Sequence, residues 1–148
     1  MKRLLAAMML LCLVGCGTSQ SHEAYKTASD FIGKVKGDQK LPTIQLATSK
    51  NIFLYRAHSG SCVKFAGYSH ILIDEHFWEN QSPGRKWAVL MHEVAHCVFN
   101  IKHAEMSYPC PSSLVSPVIG PEKCYDEKGE RRAYINELKE RIHGRRAH

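Results

Sequence analysis

Five consecutive residues, His92-Glu93-Val94-Ala95-His96, set two imidazoles four positions apart with a carboxylate beside the first. On a helix such positions lie one turn above each other on one face, so both rings can offer a nitrogen to a single metal ion. Glu93 stands about 100° round the helix from His92, within reach of a water at the metal but poorly placed to be a ligand itself. A third imidazole, His103, follows shortly after. Histidine ligands, an adjacent general base and an open coordination position are the requirements of zinc-assisted hydrolysis. The plainer reading is a pair of solvated surface histidines, and the flanking residues argue against it. Trp87, Ala88, Val89, Leu90, Met91, Val94, Ala95, Val98 and Phe99 make the helix too apolar for solvent, and buried imidazoles and carboxylates need partners.

The elements around this helix follow from caps and periodicity. Ser82-Pro83 is a helix start, a capping hydroxyl followed by a residue with no N–H to lose. Asn100 is suited to a left-handed residue that ends the helix near Phe99 and turns the chain back, bringing His103 to the metal. Upstream, Ile44–Ala47, Asn51–Arg56, Cys62–Phe65 and His70–Asp74 read as strands, with a turn over His58-Ser59-Gly60-Ser61. No helical pattern separates them, so a small antiparallel or mixed sheet is expected. Phe77 and Trp78 read as core aromatics over it, and Asp74 and Glu75 as a solvated strand end. A first helix, capped by Ser21 and running to about Val35, would bury Tyr25, Ala28, Phe31, Ile32 and Val35. A last helix, capped by Asp126 and running from Glu127 to about His143, would bury Ala133, Tyr134, Leu138 and Ile142. Residues 104–125, rich in proline and glycine, read as a long loop walling a cleft. His58, His70 and His76 have no partner at ligand spacing and read as ordinary residues.

The motif resembles the signature of the metzincin zinc peptidases, H-E-x-x-H-x-x-G-x-x-H followed later by a methionine turn. His92, His96 and His103 stand in its ligand positions, Glu93 in that of its base and Asn100 in that of its glycine. Ser113-Leu114-Val115-Ser116-Pro117 looks like its S-x-M-x-P turn, with Val115 for the methionine. The third histidine comes one residue later than in the signature, and no tyrosine follows Pro117. A downstream carboxylate, as in gluzincin peptidases, is the other third ligand to consider: Glu127 or Glu130, with Glu105 less well placed. An oxyanion donor is also wanted, and Tyr108 and Tyr125 are the nearby phenols.

The first fifteen residues read as an export signal: Lys2 and Arg3, then an apolar run, Leu4 to Val14, too short to span a bilayer. Leu13-Val14-Gly15-Cys16 looks like a bacterial lipobox, which implies lipidation of Cys16. Gly17, where an aspartate would imply inner-membrane retention, resembles an outer-membrane address. Residues 16–20 would be the tether and residues 21–148 a single domain. Beyond the signal, 18 Lys+Arg stand against 14 Asp+Glu, a formal charge of +4 compared with +6 for the whole chain. The basic residues are scattered without an aromatic-interleaved stripe, which argues against a nucleic-acid partner. Of six cysteines, Cys12 leaves with the signal and Cys16 takes lipid. Cys62, Cys97, Cys110 and Cys124 remain, an even number suited to two disulfides in an exported domain. Three connectivities are open, of which Cys110–Cys124 with Cys62–Cys97 is favoured.

The sequence thus predicts an α+β, zincin-like domain: a small sheet, a metal-binding helix and flanking helices. The function it implies is that of a lipid-anchored zinc metallopeptidase of the cell envelope acting on peptides or proteins. The alternative is a non-catalytic envelope lipoprotein whose metal, or bare histidine cluster, serves the fold or a partner surface.

Overall fold

A computed structural model of the chain describes residues 19–36, 41–47, 59–66, 68–125 and 128–144. The signal segment, Cys16, the expected strand Asn51–Arg56, His58, Asp126, Glu127 and the basic tail lie outside the described residues. Among those described, four α-helices and a three-stranded sheet form a mixed α+β arrangement. In chain order these are α1 (Ser19–Lys36), β1 (Thr43–Ala47), β2 (Gly60–Phe65), β3 (Tyr68–Asp74), α2 (Glu75–Asn80), α3 (Pro83–Phe99) and α4 (Lys128–Gly144), with a 3-10 turn at Glu122–Cys124.

The sheet is mixed, in the order β1-β3-β2. β3 is central because Ile71-Leu72-Ile73 is the apolar run that suits a strand covered on both faces, and Ile71 and Ile73 are fully buried. β1 pairs with it in parallel, Ile44 opposite Ile71. β2 pairs antiparallel, Cys62 opposite Ile71 and Phe65 opposite Tyr68. Gly60 and Ser61, expected in a turn, instead open β2 by pairing with Ile73 and Leu72. Glycine reads locally as a turn residue, but here it serves a close approach from α3.

α3 packs across β2 and β3 and against α1. Ser82 Oγ accepts from the Arg85 N–H at 3.4 Å, and Pro83 occupies the first turn as expected. Ala88 to Ala95 are all buried, and full burial of Leu90, Met91 and Val94 contributes on the order of 1.5–3 kcal/mol each. α1 begins at Ser19, so Ser21 falls within its first turns rather than before them. It buries Ala24, Ala28, Phe31 and Ile32, while Tyr25, expected inside, is exposed. Asp74 is not a free strand end. Its carboxylate accepts from the Phe77 N–H at 2.6 Å and caps α2, a helix too short to show periodicity, which delivers Trp78 to the core. α4 buries Tyr134, Leu138 and Ile142 but leaves Ala133 exposed. Cys62 is bonded to Cys97 and Cys110 to Cys124, the favoured pairing. No described helix is long and apolar enough to cross a membrane.

Candidate metal centre

α3 carries His92, Glu93 and His96 toward β2, and the chain then turns on Asn100. This residue takes the left-handed conformation, φ 54° and ψ 36°, and its N–H bonds back to the Ala95 carbonyl. The Ile101 N–H reaches the same carbonyl at 3.1 Å. The turn is wide enough to absorb the extra residue before His103 and still bring that ring back over the helix. His92 Nε2 lies 2.9 Å from His96 Nε2 and 3.3 Å from His103 Nε2. Among the described residues, these three histidines form the group whose nitrogens converge closely enough to hold a metal ion.

The tautomers of the helical pair follow from their other nitrogens. His92 Nδ1 is 2.8 Å from the Leu114 carbonyl, and His96 Nδ1 is 2.5 Å from that of Ile101. A carbonyl only accepts, so each Nδ1 carries the proton and donates it. Each Nε2 is left with a bare lone pair, and two lone pairs face each other at 2.9 Å. That contact is repulsive unless a cation sits between them. Protonation is disfavoured as well. Burial, followed by the neighbouring His96, lowers the His92 pKa from 6.5 to about 4 against the opposing pull of the Leu114 carbonyl. Burial likewise lowers that of His96. The pair is thus held neutral, the state a metal ligand requires.

Glu93 is 6 % exposed. Burial raises its pKa from 4.5 to about 7, although the Cys62 backbone N–H donates to the carboxylate and draws it down. The carboxylate shares with all three histidines a cleft of about 500 Å³ whose other walls include Gly60, Ser61, Pro117 and Ile119. The arrangement can bind a cation, hold a water beside it and exchange a proton with that water.

Of the other candidates, Glu105 is exposed in the loop and Glu130 lies on α4, and neither belongs to the convergent group. Tyr108 is 77 % exposed, and Tyr125 is buried with its hydroxyl accepting from the Gly120 N–H at 2.8 Å. Neither tyrosine lines the clefts at the histidines. The Ser113–Pro117 segment does come under the centre. The Ser116 N–H bonds to the Ser113 carbonyl at 3.2 Å, the Val115 carbonyl accepts from Ala104, and the Leu114 carbonyl orients His92. α4 holds this segment from outside, where Ser113 Oγ donates to Glu137 at 3.0 Å and the Tyr134 hydroxyl to the Pro111 carbonyl at 2.7 Å. Gly60, the Cys62 N–H and the Ile101 carbonyl carry no signal in the sequence, because they act through backbone or through lack of a side chain. Comparison with known proteins finds no matching family model, no similar curated protein and no similar solved structure.

Proposed function

We propose that the chain is a zinc metallopeptidase of the metzincin type, exported and lipid-anchored in the cell envelope through Cys16, with the outer membrane facing the periplasm as its place. The observation that carries this reading is the buried Glu93 carboxylate in one cleft with three converging imidazoles. A purely structural metal site has no use for a buried acid there, and burial of a carboxylate supported by one backbone N–H is costly. Zinc fits the donors. Nitrogens 2.0–2.1 Å from a tetrahedral ion stand roughly 3.3 Å apart, against 2.9 and 3.3 Å between these Nε2 atoms. The turn at Ser113–Pro117, lying beneath His92, supports the resemblance in the place where metzincins carry their methionine turn.

His92, His96 and His103 would hold the ion. When bound, zinc supplies Lewis acidity toward a water and a peptide carbonyl. The residues of the chain do the rest. Glu93 accepts the proton of the attacking water at a carboxylate oxygen and delivers it to the departing amine nitrogen. The Cys62 N–H orients that carboxylate, and the Leu114 and Ile101 carbonyls fix His92 and His96.

The test is Glu93→Gln in the zinc-loaded protein with its disulfides intact. Zinc content should stay at one per chain while peptide hydrolysis falls by about 10²–10⁴-fold, the usual contribution of a general base. Equal turnover by variant and wild type would sink the catalytic reading. Failure to take up zinc at all would favour a binding lipoprotein.

A further inference from the structure

A second pocket, of about 520 Å³, opens on the side of the centre formed by His96 and His103. Its rim carries Lys64, from the edge of β2, and Lys102, from the turn after α3, with Asn100 between the helix end and Lys102. The Cys62–Cys97 disulfide ties these two elements together. No carboxylate lines the pocket, and neither lysine makes an ion pair with a described residue. The acidic group of the adjoining cleft, Glu93, belongs to the Gly60 and Pro117 side. Lys64 and Lys102 therefore line one pocket beside a site suited to a cation, with no carboxylate from the described residues lining it with them. Positive charges so placed disfavour a cationic ligand and favour an anionic one.

We propose that this pocket is a substrate subsite for a carboxylate, flanked by Lys64 and Lys102. The peptide cut would then carry an acidic side chain, or its own C-terminal carboxylate, on the residue seated against His96 and His103. This rests on the metallopeptidase reading and names its substrate class.

The experiment uses the full chain, zinc-loaded and oxidised, and matched peptides. One pair differs by glutamate or glutamine at each position in turn. A second pair differs by a free or an amidated C-terminus, which separates the two sources of the carboxylate. Wild type should prefer the anionic member of one pair by roughly 2- to 30-fold in kcat/KM, the range expected for two exposed charge pairs. The preference should shrink at high salt. In the double variant Lys64→Ala, Lys102→Ala the ratio should fall toward one, and Lys64→Arg, Lys102→Arg should restore it. Calorimetric binding of the same peptides to zinc-loaded Glu93→Gln protein should give the same order. Wild type that cuts anionic and neutral peptides alike overturns the subsite and leaves the peptidase standing. A chain that cuts neither, yet binds the anionic peptide through the two lysines, keeps the subsite and overturns the peptidase. Equal binding of both peptides, whatever the activity, overturns the subsite.

Discussion

Gly60 lies against Glu93 so closely that a β-carbon on residue 60 would stand 2.9 Å from the glutamate Cγ and 3.0 Å from its Oε1. The edge strand is thereby drawn in until the Cys62 N–H can donate to the carboxylate. Alanine at this position forces either the strand or the acid to move. Gly60→Ala should keep one metal per chain, since the three atoms nearest such a β-carbon all belong to Glu93, but lower kcat by about 100-fold, the scale of a 1 Å misplacement of a reacting group. Parallel metal analysis and steady-state kinetics check this. Unchanged kcat would mean that β2 does not set the position of Glu93.

How far the sequence reaches is visible at this same pair. Glu93 is readable because helical spacing relates it to His92 and His96, and α3 itself announces its start at Ser82-Pro83 and its end at Asn100. Gly60 is misread as a turn, since local propensity cannot see the side chain that will lie against it. Asp74 is missed as a cap because the six-residue helix it starts is shorter than two turns. The turn at Ser113–Pro117 can be noticed by its pattern, yet what it contributes is the Leu114 carbonyl, a group every residue has. Lys64 and Lys102 lie far apart in the chain and come to line one pocket through the disulfide and the turn at Asn100. Local pattern thus discloses the three histidines and Glu93, while the groups that orient them and the far wall of the cleft depend on tertiary contacts.

Glu93 also makes the metal-free protein pH-sensitive. Its folded pKa of about 7 lies above the ordinary 4.5, so the folded state binds more protons over that window, and this group lowers stability as pH rises through it. The full cost above pH 7 is about 3 kcal/mol. His92 works the other way. Its folded pKa of about 4 lies below 6.5, so its contribution is fully present above pH 6.5 and lost as pH falls toward 4. In the wild type the two slopes oppose each other between the ordinary values of 4.5 and 6.5. Urea unfolding in a chelator, with disulfides intact, should find Glu93→Gln more stable than wild type by about 3 kcal/mol at pH 8 and nearly equal to it near pH 4.5. Parallel stability curves for the two proteins across that range would show that burial does not perturb Glu93.

Metal binding should reverse the cost of assembling this site. A ligand that binds only the folded state at 100 times its Kd adds about 2.7 kcal/mol of stability. Wild type should therefore unfold at a higher temperature with added zinc. His103→Ala removes the exposed imidazole of the group and leaves buried His92 and half-buried His96 in place, so the variant should fold. Its zinc affinity should fall by more than the roughly 10–100-fold that follows loss of a residue that only hydrogen-bonds a ligand. Competition with a coloured chelator measures this. Full retention of zinc by His103→Ala would remove His103 from the ligand set.

The Cys110–Cys124 disulfide lies one step further from the candidate metal centre. It closes a segment with a sequence separation of 14, and inside that segment lies Leu114, whose carbonyl holds His92 Nδ1 at 2.8 Å. α4 grips the same segment through Tyr134 and Glu137, so part of its shape survives without the bond. Loss of the crosslink frees the unfolded chain by about 3 kcal/mol for a loop of this length. The double variant Cys110→Ser, Cys124→Ser should therefore unfold at lower urea by about that amount. In the folded state it should also bind zinc some 10–100-fold more weakly, as the Leu114 carbonyl loses its fixed position. Stability and affinity are separable here, because affinity is measured at a urea concentration where both proteins are folded. A variant that loses stability but keeps its full zinc affinity would show that α4 alone positions the carbonyl, and that the disulfide serves the fold and not the site.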